Sequence, residues 1–168
     1  MDPTRETRLQ FQKYFEYAQG WLLLENVEEA ARSLARIPAD YRERPEVRRL
    51  RLDVFLAAGQ WREAVPLARQ LVEAEPGEVG HWISLAYALR RAESLPPAEE
   101  VLGEASRRFP ACALIWFNLA CYAAQQGRLA EARTLLATAL RLEPAMEELA
   151  RTDADLQPLR EADAAGPG

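Results

Sequence analysis

The sequence predicts an all-α fold of stacked antiparallel helix pairs, and three observations carry the prediction. Pro76, Pro110 and Pro144 recur at an interval of 34 residues, each closing a segment rich in Ala and Leu. A fixed period of this length marks an array in which every repeat is one supersecondary unit. Second, other positions move in step: Ala64, Ala98 and Ala132, Trp82 with Trp116, Leu85 with Leu119, Leu102 with Leu136, and Ala105 with Ala139. Third, no stretch alternates apolar and polar residues in the manner of a strand, so the repeating unit is helical.

Taken in order, Asp2-Pro3 reads as an N-cap followed by proline at the first helical position. The block from Phe11 keeps Tyr14, Ala18, Ala30, Leu34 and Ile37, and then meets Pro38. That proline shortens the second helix and leaves a linker to about Pro45. The block from Pro45 to Pro76 keeps Phe55, Gly59 and Ala64, but has Arg48 and Arg51 where later blocks have Trp and Leu. Its first helix is expected to repack around Val47, Leu50, Val54 and Phe55. The next two blocks are the most regular. Ala86 with Ala98, and Ala120 with Ala132, are small where two helices must approach closely. Trp116 and Leu119 lie three apart on one helical face. Ser94-Leu95-Pro96-Pro97 starts a helix with proline in the first turn, and Gly127 is placed to end one in the left-handed conformation. Beyond Pro144, the run from Met146 to Ala150 reads as a short extra helix. Leu156 and Leu159 are expected to cover the open face of the last pair, while Gly166-Pro167-Gly168 should fray.

These residues identify a resemblance. The blocks from Val79 to Pro110 and from Ala113 to Pro144 resemble tetratricopeptide (TPR) repeats, whose pattern is W-x2-L-G-x2-Y, then A, an aromatic, A and P. The first block offers Trp82, Leu85, Ala86, Leu89, Ala98, Leu102, Ala105 and Pro110. The second offers Trp116, Leu119, Ala120, Ala123, Ala132, Leu136, Ala139 and Pro144. Alanine stands for the family glycine, leucine for the second-helix aromatic, and Leu89 and Ala123 for the tyrosine. The stretch Asp153-Ala154-Asp155-Leu156-Gln157-Pro158-Leu159-Arg160 is similar to the D-P-D-L-x-P-L-R segment that closes some TPR arrays. The resemblance implies a right-handed superhelical solenoid of about four helix pairs with a C-terminal capping helix. The expected organisation is a single domain over 1–168, with a divergent repeat at 11–44, a degenerate one at 45–78, two regular repeats at 79–112 and 113–146, and a cap at 147–162.

Composition narrows the function. The 168 residues are 49% hydrophobic and 28% charged, enough for one array with a continuous core. A net charge of −5 argues against nucleic acid, whose binding surfaces are basic. A local exception is Arg42, Arg44, Arg48, Arg49 and Arg51, read either as a solvated face paired with Glu43 and Glu46 or as a docking patch for an acidic segment. Trp21-Leu22-Leu23-Leu24 is too short for a signal-peptide core or a membrane span, so no membrane contact is expected and the cytoplasm is the default. Cys112 and Cys121 lie nine residues apart on one expected helix, about 13 Å along its axis and on opposite sides, and so read as free thiols of a reducing compartment.

Nothing in the sequence reads as catalytic. The single histidine, His81, has no partners at metal-ligand spacing, so neither a metal nor a cofactor is expected. The pairs Glu28-Glu29, Glu99-Glu100 and Glu147-Glu148 are expected near helix starts, where they favour the positive end of the dipole. No Gly-rich phosphate loop, serine elbow or CxxC is present. The informative excess is the helix from Ala113 to Gln126, apolar nearly all round, which must be buried or must bury something.

In the TPR family a second stripe on each first helix lines a concave groove that takes partner peptides or helices. The resemblance transfers this groove to Phe15, Gln19, Arg49, Asp53, Ile83, Tyr87, Arg90, Leu114, Phe117 and Cys121, with Asn118 beside them. Only Asn118 and Arg49 resemble the polar set with which some TPR domains grip a C-terminal carboxylate, which argues against that mode. The implied function is a non-catalytic scaffold or adaptor holding an unidentified protein or peptide partner, with Tyr87 and Phe117 as anchors; Tyr87→Glu and Phe117→Glu should each abolish capture and leave helicity intact. The alternatives are a small secretion-type chaperone shielding a client and a homo-oligomeric piece, such as a homodimer. The C-terminal tail folding across the groove would bury Phe117 and Leu114 instead.

Overall fold

A computed structural model describes residues 3–165, and all regular structure among them is helical. The expectations for Asp2 and for Gly166-Pro167-Gly168 fall outside the described residues. The chain divides into two compact units, Met1–Ala92 and Glu93–Gly168, with the division inside the third repeat. The first unit holds α1 (Pro3–Leu23), α2 (Val27–Ala35), a 3-10 turn (Ala39–Tyr41), α3 (Pro45–Ala57), α4 (Trp61–Ala74) and α5 (Val79–Ala92). The second holds α6 (Leu95–Arg108), α7 (Ala113–Gln125), α8 (Leu129–Leu142), α9 (Met146–Thr152), a 3-10 turn (Ala154–Leu156) and α10 (Gln157–Ala165).

The stops follow the period. Gly59 and Gly127, at φ 68° and 76°, turn the chain after α3 and α7 in the left-handed region open to glycine. One period before Gly59 the same bend is made by Glu25, at φ 57°, where a side chain is strained. The next helix starts on Asn26, whose Oδ1 accepts from the Glu29 amide at 3.2 Å. Pro38 shortens α2 to nine residues, against 14 in α4. Arg42 satisfies the carbonyls this early end leaves open, donating from Nε to Ile37 O at 2.9 Å and from Nη2 to Ala35 O at 3.2 Å.

The period of Trp and Pro together has a local cause that sequence reading missed. Trp82 Nε1 donates to the Pro76 carbonyl at 3.1 Å, and Trp116 Nε1 repeats the bond to Pro110 at 2.9 Å. Each proline ends a pair, and its carbonyl is then held by the indole of the following helix. In the first unit, Phe11, Ile37 and Val47 form a buried cluster flanked by Tyr14, Phe15, Leu34 and Tyr41. The Phe11 and Tyr41 rings stack at 4.5 Å. Helix α4 packs antiparallel on α5, burying Ala64, Ala68 and Leu71 on one helix and Trp82, Leu85 and Leu89 on the other.

The C-terminal segment caps the last pair as its leucines predict. The second 3-10 turn lies on α7 and α10 lies on α7 and α8, with Leu156 and Leu159 buried. Asp153 Oδ1 accepts from the Asp155 amide at 2.8 Å, and Arg160 Nη1 donates to Asp153 O and Ala150 O at 2.7 and 2.9 Å. The two aspartates, the leucines and the arginine of the closing motif are thus the parts of one tied turn. One expectation is corrected: Glu99 and Glu100 are not in the first turn of α6, because the helix begins earlier, at Leu95. Glu99 instead holds Arg128, which raises the Arg128 pKa.

Candidate functional site

In the first unit, Phe15 is half-buried against the Phe11 cluster and Gln19 is exposed. Arg49 and Asp53 stand one turn apart on α3 and lie near Glu75, at the end of the second repeat, and His81, at the start of the third. Arg49 Nη2 lies 3.5 Å from Glu75 Oε1, whose other oxygen is 3.2 Å from Nε2 of the buried His81. Asp53 is exposed as a residue, yet the protein around its carboxyl raises its pKa above the ordinary carboxylate value. The nearby His81 opposes that rise in part. The middle of the stripe is therefore polar: Arg49, Glu75 and His81 are linked in a row, and Asp53 lies within the electrostatic reach of His81.

Further along, α5 presents Ile83, Tyr87 and Arg90. Ile83 and Arg90 are half-buried, whereas Tyr87 is 40% exposed. Its ring is nevertheless fixed: Trp61 meets it edge-on at 5.5 Å, and the Arg91 guanidinium lies 5.5 Å from its centre. An aromatic held this way is a rigid apolar projection, with little side-chain entropy left to lose on contact.

In the second unit, α7 is enclosed by α6, α8, the second 3-10 turn and α10. Phe117 is only 2% exposed and Cys121 is buried too, while Asn118 is half-buried and Leu114 is 38% exposed. Leu114 sits in the first turn of α7, beyond most of this enclosure. Gln125 Nε2 donates to Asp155 O at 2.9 Å and pins the cap onto the far end of the same helix. A helix apolar nearly all round is thus largely explained by its own unit. Phe117→Glu would place a charge in packed surroundings and disturb folding, so it cannot serve as a clean surface variant.

The arginine cluster resolves mostly into local partners. Arg44 lies against Glu46 at 3.7 Å and over the Tyr41 ring, Arg51 lies 3.9 Å from Glu43, and Arg48 donates to Gln70 Oε1 at 2.7 Å. Cys112 and Cys121 form no disulfide. Among the described residues, Cys121, Asp153 and Asp155 bring ligand-type atoms within 4.8 Å of one another. Cys121 lies more than 30 residues before the two aspartates in sequence, so no spacing rule finds the group, and the hydrogen bond within the tied turn accounts for the closeness of Asp153 and Asp155.

With this geometry in place, the comparisons decide the family. The tetratricopeptide repeat family model matches residues 49–102 and 85–147, more than half of the chain. The chain belongs to the tetratricopeptide repeat family. Among solved structures it is similar to one described as "MamA RS-1 ArsTM double mutant", with a TM-score of 0.70 at 15% identity, over 81% of this chain and 76% of that one. It is also similar to TTC0263, a thermophilic TPR protein in Thermus thermophilus, with a TM-score of 0.67 at 21% identity, over 92% of this chain and 88% of that one. At such identities the likeness speaks for the TPR fold alone. No curated protein sequence matches the chain. Among the described residues, no helix is long and apolar enough to cross a membrane.

Proposed function

We propose that this TPR chain is a non-catalytic interaction module that holds a partner peptide or helix through the groove positions of its first helices. The observation that carries the reading is an exposed apolar side chain at a groove position in each unit, Tyr87 in the first and Leu114 in the second, while the other large apolar side chains at groove positions are half-buried or buried. Tyr87 is the anchor and Leu114 replaces Phe117 as its apolar companion. Between the N-terminal and C-terminal stretches of the stripe, the charged row around Asp53 gives the partner polar contacts to match. Two cysteines without a disulfide are consistent with work in the cytoplasm.

The test is affinity capture from the native lysate with wild type, Tyr87→Glu and Leu114→Glu, each checked for unchanged helicity. A partner retained by wild type and lost by both variants is the expected result. Equal retention by all three removes the groove assignment.

A further inference from the structure

The outward face of α1 is a second apolar surface, distinct from the groove stripe. Tyr17 and Trp21 are 51% and 37% exposed, and with Glu16, Gly20 and Leu24 they line an open depression of 220 Å³. Tyr17 is two residues from Phe15 of the groove stripe, which places it about 200° away around the helix.

The repeat period says what kind of surface this is. Tyr17 and Trp21 stand two 34-residue periods before Leu85 and Leu89 of α5. Those two leucines are 3% and 0% exposed, on a helix that packs against α4. The α1 stripe therefore has the register and chemistry of a face that takes an antiparallel amphipathic helix, and among the described residues of its unit no helix covers it.

We propose that a second copy of this chain covers it, through an antiparallel, two-fold contact of α1 with α1. Three features favour a copy. At 21 residues, α1 is half as long again as the 14-residue helices and carries an apolar stripe of its own. A two-fold alignment that sets Tyr17 opposite Trp21 of the other copy brings Lys13 toward Glu25, in the turn just past α1, at both ends, and neither makes an ion pair among the described residues. Gly20 has nothing within 4 Å of where a Cβ would stand, which leaves room for an incoming ring. A two-fold contact also closes on itself, so it yields a dimer and not a filament. A standard interface buries about 800 Å² per partner. One helix face supplies less, so the contact is expected to form only as concentration rises.

Sedimentation velocity from low micromolar to several hundred micromolar tests the contact. Wild type is expected to pass from monomer to dimer across that range. Trp21→Glu, a change at an exposed position, should remain monomeric throughout with an unchanged circular dichroism spectrum. Lys13→Glu should weaken dimerisation about tenfold, since it replaces two symmetric attractions by repulsions. The double variant Lys13→Glu/Glu25→Lys should restore it. A wild type that stays monomeric, a Trp21→Glu variant that still dimerises, or a charge swap that fails to restore would each overturn the proposal.

Discussion

Helices α1 and α5 carry the same repeat positions and meet opposite fates. Leu89 of α5 is buried, as is Trp82 with its N–H on the Pro76 carbonyl, while Trp21 of α1, two periods before Leu89, faces outward beside Tyr17. Leu89 and Trp21 are large apolar side chains at one repeat position. What separates them is whether a preceding second helix lies alongside. In a TPR array burial belongs to the neighbour and not to the residue, since each repeat packs only on the ones beside it. The chain answers this problem differently at its other end, where the tied turn and α10 cover the last pair with Leu156 and Leu159.

The sharpest way to break this comparison is to truncate both tryptophans. Trp82→Ala should cost about 3–5 kcal/mol, chiefly through lost burial, with the lost bond to the Pro76 carbonyl a smaller part. Trp21→Ala, measured at concentrations low enough to keep the chain monomeric, should cost less than about 1 kcal/mol. Denaturant unfolding of the two variants gives the answer, and equal losses would mean that α1 is as well covered as α5. Next in size, Leu156→Ala should cost about 2–5 kcal/mol, because the side chain is fully enclosed between the cap and α7. A loss below half a kilocalorie would show that the cap lies on the last pair without supporting it.

A smaller effect separates the first repeat from the second. Glu25 makes, at φ 57°, the bend that Gly59 makes one period later at φ 68°. Glu25→Gly should therefore stabilise by about 1 kcal/mol, strain relief being partly offset by a more flexible unfolded chain. Gly59→Ala should cost a similar amount through that same strain, since its added Cβ would meet nothing closer than the Trp61 ring at 3.6 Å. If both substitutions leave the melting temperature unmoved, backbone conformation is not what distinguishes these turns.

The fold was legible because period and residue size act locally. Alanines at close crossings, prolines at pair ends and glycines at left-handed stops each need only their own repeat to be interpreted. The closing motif was legible too, down to the burial of Leu156 and Leu159. The groove was legible only as a stripe of positions. Leu114 and Phe117 share that stripe on α7, yet one is exposed and the other enclosed, because the cap, α6 and α8 close over most of the helix. No periodic rule reports where a non-repeating tail will lie. The row of charge from Arg49 to Asp53 was hidden for a related reason: Glu75 and His81 join it from more than 20 residues away.

That row gives the smallest effect and a contrast with the apolar ends of the stripe. Asp53 holds its proton to a higher pH in the folded chain than an ordinary carboxyl does, chiefly because burial disfavours its charge. Below the unfolded value, about 3.9, both states are protonated and Asp53 costs nothing. As pH rises through the folded value, the folded state binds more protons than the unfolded one, so stability falls and stays lower above it. Asp53→Asn removes the ionisation, so the variant should be the more stable at neutral pH, with the gap closing as the solution is acidified toward the ordinary carboxylate range. Stability measured against pH for both proteins tests the sign. A gap that widens in acid would mean that the attraction of His81 outweighs the cost of burying the charge, and that the middle of the stripe is held together by the very group proposed to be under strain.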